Sequence, residues 1–431
     1  MSKFSEILGM NSRNHLYQSR YNSRRAKRVA DVKLLTKRIL KQVKLAVPKL
    51  YKTFKNPEAV EQFDFNKLPD SFVIKPSQGL AGEGILVVDR WQTVEGQPLT
   101  TADIKLHILD ILSGRYSMLD LPDRAFIEER VRVHPRFAPI CVAGTPDIGV
   151  LVFNQIPVMA FLRLPTQESH GKANMFQGAV ACGIDIATGI TTRAVKYTGE
   201  IKFFPGTRRR LEGVGIPRWD EVLELAVKAV EACGLGYCRA DIALQPKTTK
   251  TGKLHSVPMV LEVNAQPGLK IQLANGAGLR RRLERVEGLK VKTVKQGINI
   301  AKNLFAAREE EEAIGVNVFE ELEVLNINGE RRPVKVKLDT GAFRTSIDAS
   351  LAKKLGLMDP ENILWEKHYH SALGREERPV VGVTFYLKGR KIKTQASVTD
   401  RSKLKRPMII GRRDLLGLAI RVKESEAGQE A

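Results

Sequence analysis

The stretch FVIKPSQGLAGEGILVVD, residues 72–89, places a glycine-rich segment between two apolar runs. This pattern predicts two strands joined by a loop that contains Gly79, Gly82 and Gly84. Lys75 stands at the end of the first strand. Because glycine has no Cβ, the backbone of such a loop can approach a phosphate closely, and the lysine can supply positive charge. The alternative is a plain β-hairpin that binds no ligand.

The glycine spacing matches neither G-x-G-x-x-G nor G-x-x-x-x-G-K-[ST], and the run ILVVD that follows predicts a strand instead of a helix. A bound phosphate would therefore not lie on a helix N-terminus. We expect a mobile hairpin loop, residues 79–84, whose backbone N–H groups cover the phosphates.

The segment FIEERV, residues 126–131, carries two acids in a strand-like run, Glu128 and Glu129. Backbone groups and a carboxylate at this place could bind the adenine or ribose of a nucleotide. The alternative is an edge strand whose charges are solvated.

Asp241 lies inside the apolar segment YCRADIALQP (237–246), and Glu262 and Asn264 lie inside the apolar segment VPMVLEVNAQPG (257–268). Residues two apart in a strand point to the same face, so Glu262 and Asn264 share one side. Carboxylate and amide oxygens suit Mg²⁺, and phosphate oxygens can complete its coordination. We therefore predict a magnesium site, with a buried structural network as the alternative.

The composition limits the classes of protein that the chain can belong to. It has 431 residues, a formal net charge of +22 and 43% hydrophobic residues, which suits two or three folded domains with anionic partners. The basic N-terminal cluster lacks the interleaved aromatic residues that would argue for single-stranded nucleic acid. No run approaches the roughly 20 apolar residues of a membrane span. The N-terminus also lacks a secretory signal, so we expect a cytoplasmic protein without a membrane partner.

The four cysteines, Cys141, Cys182, Cys233 and Cys238, do not have the spacing of metal ligands. We expect them to be reduced and mostly buried thiols, in keeping with a cytoplasmic location.

The hydrophobic pattern divides the chain into four parts and predicts an α+β fold. Residues 29–47 have the spacing of a helix that ends before Pro48. The parts that we predict are a basic N-terminal segment (1–30), an α+β domain (31–285), a helical linker (286–314) and a mostly-β second domain (315–425).

The segments FVIKPSQGLAGEG, FIEERV, RADIAL and LEVNAQPG occur in the order in which ATP-grasp enzymes carry similar motifs. The segment SHGKANMFQGAVACGIDIATG, residues 169–189, is similar to the corresponding part of the α-L-glutamate ligase (RimK-like) group. The resemblance covers roughly residues 25–280. It implies an ATP-grasp fold, with ATP and Mg²⁺ as cofactors.

The resemblance implies that Lys33, in ADVKLLTK, and Lys75 are the two nucleotide-binding lysines. The loop from Gly79 to Gly84 then corresponds to the loop that covers the phosphates. Glu128 and Glu129 correspond to the hinge beside the adenine.

For the reacting groups, the resemblance implies that Arg163 and Asn174 face the transferred phosphate and the acyl substrate. Asp241, Glu262 and Asn264 correspond to the magnesium ligands. In such enzymes ATP phosphorylates a carboxylate, and an amine then attacks the acyl phosphate to form an amide. Lysines, an arginine and Mg²⁺ suit this chemistry because phosphoryl transfer depends on charge neutralisation more than on covalent help.

The second domain contains VKVKLDTGA, residues 334–342, and later RPMIIGRRDLLGL, residues 406–418. Alone, the Asp-Thr-Gly at Asp339 is a turn. Together the two segments resemble the retropepsin fold, in particular the small domains called ATP-dependent zinc proteases that accompany glutamate ligase-like proteins. The resemblance covers about 315–425 and implies a small β-barrel with Asp339 as a catalytic residue. Since two carboxylates must share one proton, catalysis would need a homodimer, and a structural or binding role is the alternative.

Three functions remain open from the sequence. The first is an ATP-dependent carboxylate–amine ligase, α-L-glutamate ligase-like, that acts on acidic small-molecule or peptide substrates and carries an aspartic-protease-like domain. The second is a retropepsin-like peptidase with a nucleotide-binding regulatory domain. The third is a basic nucleic-acid-associated protein with a degenerate enzyme fold. ATP hydrolysis that needs an acceptor amine, peptide cleavage that needs Asp339, and salt-sensitive binding of RNA or DNA would distinguish them.

Overall fold

A computed structural model describes residues 6–79, 82–117, 120–248, 252, 254–306, 314–371, 374–416 and 418–421. The chain divides into two compact units, Met1–Gly288 and Leu289–Ala431, which we call the first and the second unit. In the described part of the chain, no helix has the length and apolar character needed to cross a membrane.

The first unit has mixed helices and strands, in agreement with the predicted α+β class. Its helices are α1 (Met10–Ser12), α2 (Ser19–Tyr21), α3 (Arg24–Asp31), α4 (Lys33–Gln42), α5 (Pro57–Glu61), α6 (Thr101–Leu112), α7 (Trp219–Ala232), α8 (Ile271–Asn275) and α9 (Leu279–Val286). Its strands are β1 (Leu50–Phe54), β2 (Ser71–Pro76), β3 (Leu86–Asp89), β4 (Ala125–Glu129), β5 (Asp147–Phe153), β6 (Ile156–Leu164), β7 (Val180–Ile184), β8 (Thr191–Lys196), β9 (Gly199–Ile201), β10 (Tyr237–Thr248) and β11 (Leu254–Asn264).

The smaller sheet of this unit has the order β1-β4-β2-β3 and is antiparallel. Helix α6 begins at a capping box in which Thr100 and Asp103 satisfy each other's backbone N–H groups. Its apolar face packs against the sheet, where Ile104 and Ile108 are fully buried with Phe72 and Ile74. This packing fixes β2 and the start of the glycine-rich loop.

The larger sheet has the order β11-β10-β5-β6-β7-β8-β9 and is also antiparallel. Strands β5 and β7 are buried along their whole length. In the register of β10 and β11, Asp241 lies opposite Glu262 and Arg239 lies opposite Asn264, with a bulge beside Asp241. The register therefore brings together charged groups that lie far apart in the sequence.

The N-terminal segment is helical and packs onto the first unit, with Leu8, Tyr17 and Val29 buried. The predicted helix 29–47 is instead two helices, because the chain is extended at Val32 between α3 and α4. The backbone N–H of Lys33 donates to Ser77 O at 2.8 Å, which sets the start of α4 beside the glycine-rich loop.

The second unit is mostly β. Its helices are α10 (Val294–Phe305) and α11 (Ala349–Lys354). Its strands are β12 (Ile314–Asn317), β13 (Phe319–Leu325), β14 (Arg331–Asp339), β15 (Thr345–Asp348), β16 (Ile363–Ser371), β17 (Gly374–Leu387), β18 (Arg390–Thr399), β19 (Met408–Gly411) and β20 (Leu418–Arg421).

Six strands of the second unit form a closed barrel in the order β13-β14-β19-β15-β18-β17, and pairing of β13 with β17 closes it. Helix α10, which the sequence predicts as part of a linker, belongs to this unit, and Gln296 Nε2 donates to Leu364 O at 2.9 Å. Residues 307–313 of the predicted linker and 422–425 of the predicted second domain lie outside the described residues.

Candidate functional site

Both sheets of the first unit line a cleft of about 1070 Å³. The smaller sheet contributes β2, β3 and β4, and the larger sheet contributes β5, β6, β10 and β11. The predicted site residues that line it are Lys33, Lys75, Gly79, Gly82, Glu128, Glu129, Arg163, Asn174, Asp241, Glu262 and Asn264. The fold thus gathers residues that are spread over more than half of the first unit.

The lysine side of the cleft is built on Glu128, which is 2% exposed. Its Oε1 lies 2.7 Å from Lys75 Nζ, and its Oε2 lies 2.6 Å from Lys37 Nζ. Burial opposes ionisation of Glu128, but the two lysines outweigh burial and hold the pKa of Glu128 below its usual value. Burial likewise opposes the charge of Lys75, but Glu128 outweighs it and raises the pKa of Lys75. The carboxylate of Glu128 is therefore engaged in orienting Lys75.

Lys37 is a residue that the sequence argument missed. It lies one helical turn after Lys33 on α4 and also donates to Pro48 O at 2.7 Å. The signal that could have found it is its spacing of four residues from Lys33, which puts both lysines on one face of the helix. Lys33 itself donates from Nζ to Gly79 O at 2.7 Å, at the start of the glycine-rich loop.

Glu129 is half-buried, and its Oε2 accepts a hydrogen bond from Lys49 N at 3.1 Å. The backbone N–H of Glu129 donates to Lys49 O at 2.8 Å. These contacts tie the end of β4 to the residue that precedes β1, and a nucleotide contact by Glu129 stays a prediction.

The glycine-rich loop is described at both of its ends, while residues 80 and 81 lie outside the described residues. Gly82 and Gly84 have φ angles of 80° and 68°, which favour glycine. A Cβ on Gly84 would lie 2.7 Å from ring atoms of Tyr116, and Gly84 O lies 3.0 Å from His107 Nε2. The return of the loop is thus fixed by α6 and the residues after it.

A network of two guanidinium groups and two carboxylates lies in the cleft. Arg163 donates from Nε and Nη2 to Asp147 at 2.6 and 2.7 Å and from Nη2 to Asp241 at 2.9 Å. Arg239 donates from Nε and Nη2 to Asp241 at 2.6 and 2.7 Å. Burial opposes ionisation of Asp241, but Arg163 and Arg239 outweigh burial and hold the pKa of Asp241 below its usual value. Burial raises the pKa of Asp147 to about 6, so at neutral pH both carboxylates are mostly ionised and balance the two guanidinium charges.

The predicted magnesium ligands fit a metal unequally. Asp241 is 1% exposed and its oxygens accept from both arginines, whereas Glu262 and Asn264 are half-buried and line the cleft. In the part of the chain that the structure describes, no cluster of three or more His, Cys, Asp or Glu side chains could hold a metal ion. These residues supply only part of the ligands that Mg²⁺ needs, namely two carboxylates and one amide. Phosphate oxygens would be the remaining ligands.

Asn174 caps the short helical turn Met175–Gln177, since its Oδ1 accepts from Phe176 N at 2.9 Å. Beside it, Lys270 Nζ lies 3.7 Å from the centroid of the Phe176 ring and donates to Met175 O at 3.3 Å. Partial burial lowers the pKa of Lys270. Lys270 and Lys172 line the cleft, and neither forms an ion pair with a carboxylate of the described residues. Both were missed by sequence reasoning because they lie in loops that the fold brings together.

In the second unit, Asp339 ends β14 and lies opposite Gly411 of β19. Its Oδ1 accepts from Gly341 N at 2.9 Å and from Ala342 N at 3.1 Å, so the carboxylate stabilises its own turn. A buried carboxylate that the sequence argument missed, Asp414, accepts from Thr345 Oγ1 at 2.5 Å and from Thr394 Oγ1 at 2.8 Å. A catalytic role of Asp339 and the retropepsin-like assignment stay predictions.

The four cysteines are free thiols, and three of them are buried. Burial raises the pKa of Cys141 to about 11, so this thiol is protonated at neutral pH.

Comparison with solved structures found chains of low sequence identity. One is the ATP-grasp ligase PsnB complexed with a minimal precursor, at 18% identity and a TM-score of 0.32, where the match covers 62% of each chain. Another is the D-alanine-D-alanine ligase from Coxiella burnetii, at 14% identity and a TM-score of 0.33, with 64% of this chain and 60% of the ligase covered. The chain therefore spans about three fifths of the length of these structures. No curated protein matched the chain.

A family model was also matched, and it covers the whole cleft described above. The model is that of the sugar-transfer associated ATP-grasp family, and it matches residues 12–288, which is most of the chain and nearly all of the first unit. The assignment to the α-L-glutamate ligase-like group stays a prediction. The chain belongs to the sugar-transfer associated ATP-grasp family.

Proposed function

We propose that the first unit is an ATP-dependent ligase that joins a carboxylate to an amine. The observation that carries this proposal is a single cleft in which the charge-paired Lys75 lies with the oxygen donors of Glu262 and Asn264. Transfer of a phosphoryl group needs such charge neutralisation and positioning. Membership of an ATP-grasp family supports ATP as the phosphoryl donor.

The proposed reaction has two steps. A carboxylate oxygen of the acid attacks the γ-phosphorus of ATP, the bond from this phosphorus to the bridging oxygen breaks, and ADP leaves. The amine nitrogen then attacks the acyl carbon, the bond from that carbon to the phosphate oxygen breaks, and inorganic phosphate leaves. The amine loses one proton to solvent as the amide forms.

The residues of the cleft have separate tasks in this proposal. Lys75, oriented by Glu128, and Lys33 attract the phosphates of ATP. Glu262 and Asn264, with Asp241 behind them, would hold Mg²⁺, which when bound neutralises charge on the phosphate oxygens. The hydrogen bonds from Arg163 and Arg239 hold Asp241 in place.

The acid substrate is proposed to carry a second anionic group, as a glutamate-like substrate does. Lys172 and Lys270 support this choice because they face the cleft without a carboxylate partner among the described residues. We expect Lys270→Met to raise the KM for such an acid while leaving the affinity for an ATP analogue unchanged.

An ATP-dependent reaction and four free thiols suit a reducing compartment, so we propose a cytoplasmic location.

The test follows oxygen from the acid to phosphate. The protein is incubated with ATP, Mg²⁺, an amine panel and acids whose carboxylates carry heavy oxygen, and the inorganic phosphate is analysed by mass spectrometry. A ligase of this type transfers one heavy oxygen from the acid to each phosphate released. Unlabelled phosphate formed together with an amide product would contradict an acyl phosphate intermediate.

A second candidate function belongs to the second unit. The closed six-stranded barrel and the turn-forming Asp339 suit a retropepsin-like peptidase that works as a homodimer, with the first unit as a nucleotide-binding regulator. Acidic peptides are incubated with wild type and with Asp339→Asn, with and without ATP, and cleavage is followed by mass spectrometry. Cleavage by wild type that Asp339→Asn abolishes would favour the peptidase, and equal product lengths in a confirmed dimer would exclude catalysis by Asp339.

A further inference from the structure

The segment 202–210 forms a hairpin, which we call the basic hairpin, directly after β9 at the edge of the larger sheet. Phe204 N donates to Arg209 O at 2.9 Å, and Leu211 N donates to Lys202 O at 3.1 Å. The side chains of Phe204 and Leu211 are 3% and 0% exposed, so they fix the base of the hairpin in the core. Its shape is therefore built into the fold.

The outer surface of the basic hairpin is positively charged. Lys202, Arg208, Arg209 and Arg210 are all exposed, and none of them pairs with a carboxylate of the described residues. No acid occurs between residues 202 and 210. The four charges therefore remain available to a partner.

The basic hairpin also carries one exposed aromatic ring, that of Phe203. Phe203 pairs with Arg210 across the hairpin and is 45% exposed, although an apolar side chain of this size is usually buried. None of the residues 202–210 lines the cleft. The proposed ligase reaction therefore does not explain the surface.

We propose that the basic hairpin binds the protein to an anionic lipid surface. Charge complementarity carries this inference, because clustered lysine and arginine side chains bind anionic headgroups while an aromatic ring among them can enter the interface. Single-stranded nucleic acid is a poorer fit, since its binding proteins combine a basic groove with several stacking aromatics, and this hairpin offers one ring. The inference departs from the sequence-based expectation that there is no membrane partner, and it does not depend on the proposed ligase activity.

Binding of this kind is peripheral and reversible. One hairpin with four positive charges and one inserted ring gives weak attachment that falls steeply with salt. Each basic residue near an anionic surface is worth roughly fivefold in affinity, so loss of three arginines should weaken binding by about a hundredfold.

The experiment measures sedimentation of the full-length protein with vesicles. One set is pure phosphatidylcholine, and in the other about a third of the lipid is phosphatidylglycerol. The hairpin variant carries Arg208→Gln, Arg209→Gln and Arg210→Gln. The matched control carries Arg24→Gln, Arg25→Gln and Arg28→Gln on α3, where the same three charges are lost from exposed positions outside the cleft.

We expect wild type and the α3 control to bind the phosphatidylglycerol vesicles with affinities that agree within severalfold, and the hairpin variant to lose about a hundredfold. A variant with the three arginines replaced by lysine should keep binding, and Phe203→Ala should weaken it without changing the salt dependence. Thermal unfolding and the affinity for an ATP analogue are measured for every variant as a test of folding.

Four results would overturn the inference. The first is failure of wild type to bind the anionic vesicles. The second is equal loss in the hairpin variant and the α3 control, which would indicate general attraction by the net charge. The third is binding to polyuridylate that needs the hairpin and excludes the vesicles, which would identify nucleic acid as the partner. The fourth is loss of vesicle binding at a low concentration of inorganic phosphate, which would indicate a site for free phosphate instead of a lipid surface.

Discussion

Glu128 binds two lysines at once, one from α4 and one from β2. Removing its charge would leave the buried ammonium groups of Lys37 and Lys75 without the carboxylate that both of them contact, and breaking a buried pair in this way costs roughly 3–5 kcal/mol. We expect Glu128→Gln to lower the free energy of unfolding by about this amount, as measured by chemical denaturation.

The neighbouring acid provides the control for this prediction. Glu129 is half-buried, and its side chain accepts one backbone hydrogen bond. Glu129→Gln should change the free energy of unfolding by about 1 kcal/mol or less. If both variants lost the same free energy of unfolding, the two ion pairs of Glu128 would not stabilise the fold.

At this scale the sequence predicted the identity of many cleft residues but not their partners. Glu262 and Asn264 could be predicted to share a face because side chains alternate along a strand. Glu128 was expected at the adenine, but its partners Lys37 and Lys75 come from two other elements. Arg239, which neutralises Asp241, was missed because an arginine beside an aspartate in a strand looks like ordinary surface charge.

At the scale of elements, the glycine-rich loop contains two glycines with positive φ angles whose surroundings differ. A Cβ on Gly84 would meet the Tyr116 ring at 2.7 Å, whereas a Cβ on Gly82 would have nothing within 4 Å. Gly82→Ala should therefore cost only the backbone strain of about 1–2 kcal/mol. Gly84→Ala adds a clash and should cost roughly 2–4 kcal/mol.

The comparison is made by denaturation of both variants. If Gly84→Ala were as stable as Gly82→Ala, the contact between the loop and Tyr116 would not form in solution.

His107 on α6 holds the other end of the loop through Gly84 O, and burial lowers its pKa below the usual value. Because the pKa of His107 is lower in the folded state than in the unfolded state, protonation favours unfolding. The stability that this residue contributes is therefore fully present above the unfolded-state pKa of about 6.5 and is lost as the pH falls through the folded-state pKa. We expect the free energy of unfolding to decrease over this acidic range. His107→Gln should remove this part of the pH dependence, and an unchanged pH profile would show that His107 is not buried as described.

The strands could be predicted from apolar runs bounded by Gly, Pro and Asp, and helix α7 from its amphipathic spacing. The break at Val32 could not be predicted, because it depends on the hydrogen bond from Lys33 N to Ser77 O, a contact distant in sequence. The strand register that sets Asp241 opposite Glu262 likewise depends on a β-bulge, which no local sequence pattern predicts.

At the scale of the whole molecule, the division after Gly288 falls close to the predicted end of the first domain at residue 285. The helix α10 was predicted as a linker because its sequence is amphipathic and lies next to a run of glutamates. Its apolar face instead packs within the second unit, with Ile300, Ala301 and Phe305 buried. Sequence periodicity shows that a helix has an apolar face but not which surface that face contacts.

The most direct test of the nucleotide site is calorimetric titration of the full-length protein with a non-hydrolysable ATP analogue, with and without Mg²⁺. We predict one site per chain, tighter binding with Mg²⁺, and loss of this Mg²⁺ effect in Glu262→Gln. The matched control is Glu58→Gln, an exposed acid on α5 outside the cleft, which should bind like wild type. Absence of binding, or binding that is independent of Mg²⁺ and unchanged in Glu262→Gln, would contradict the ATP site assigned to the cleft.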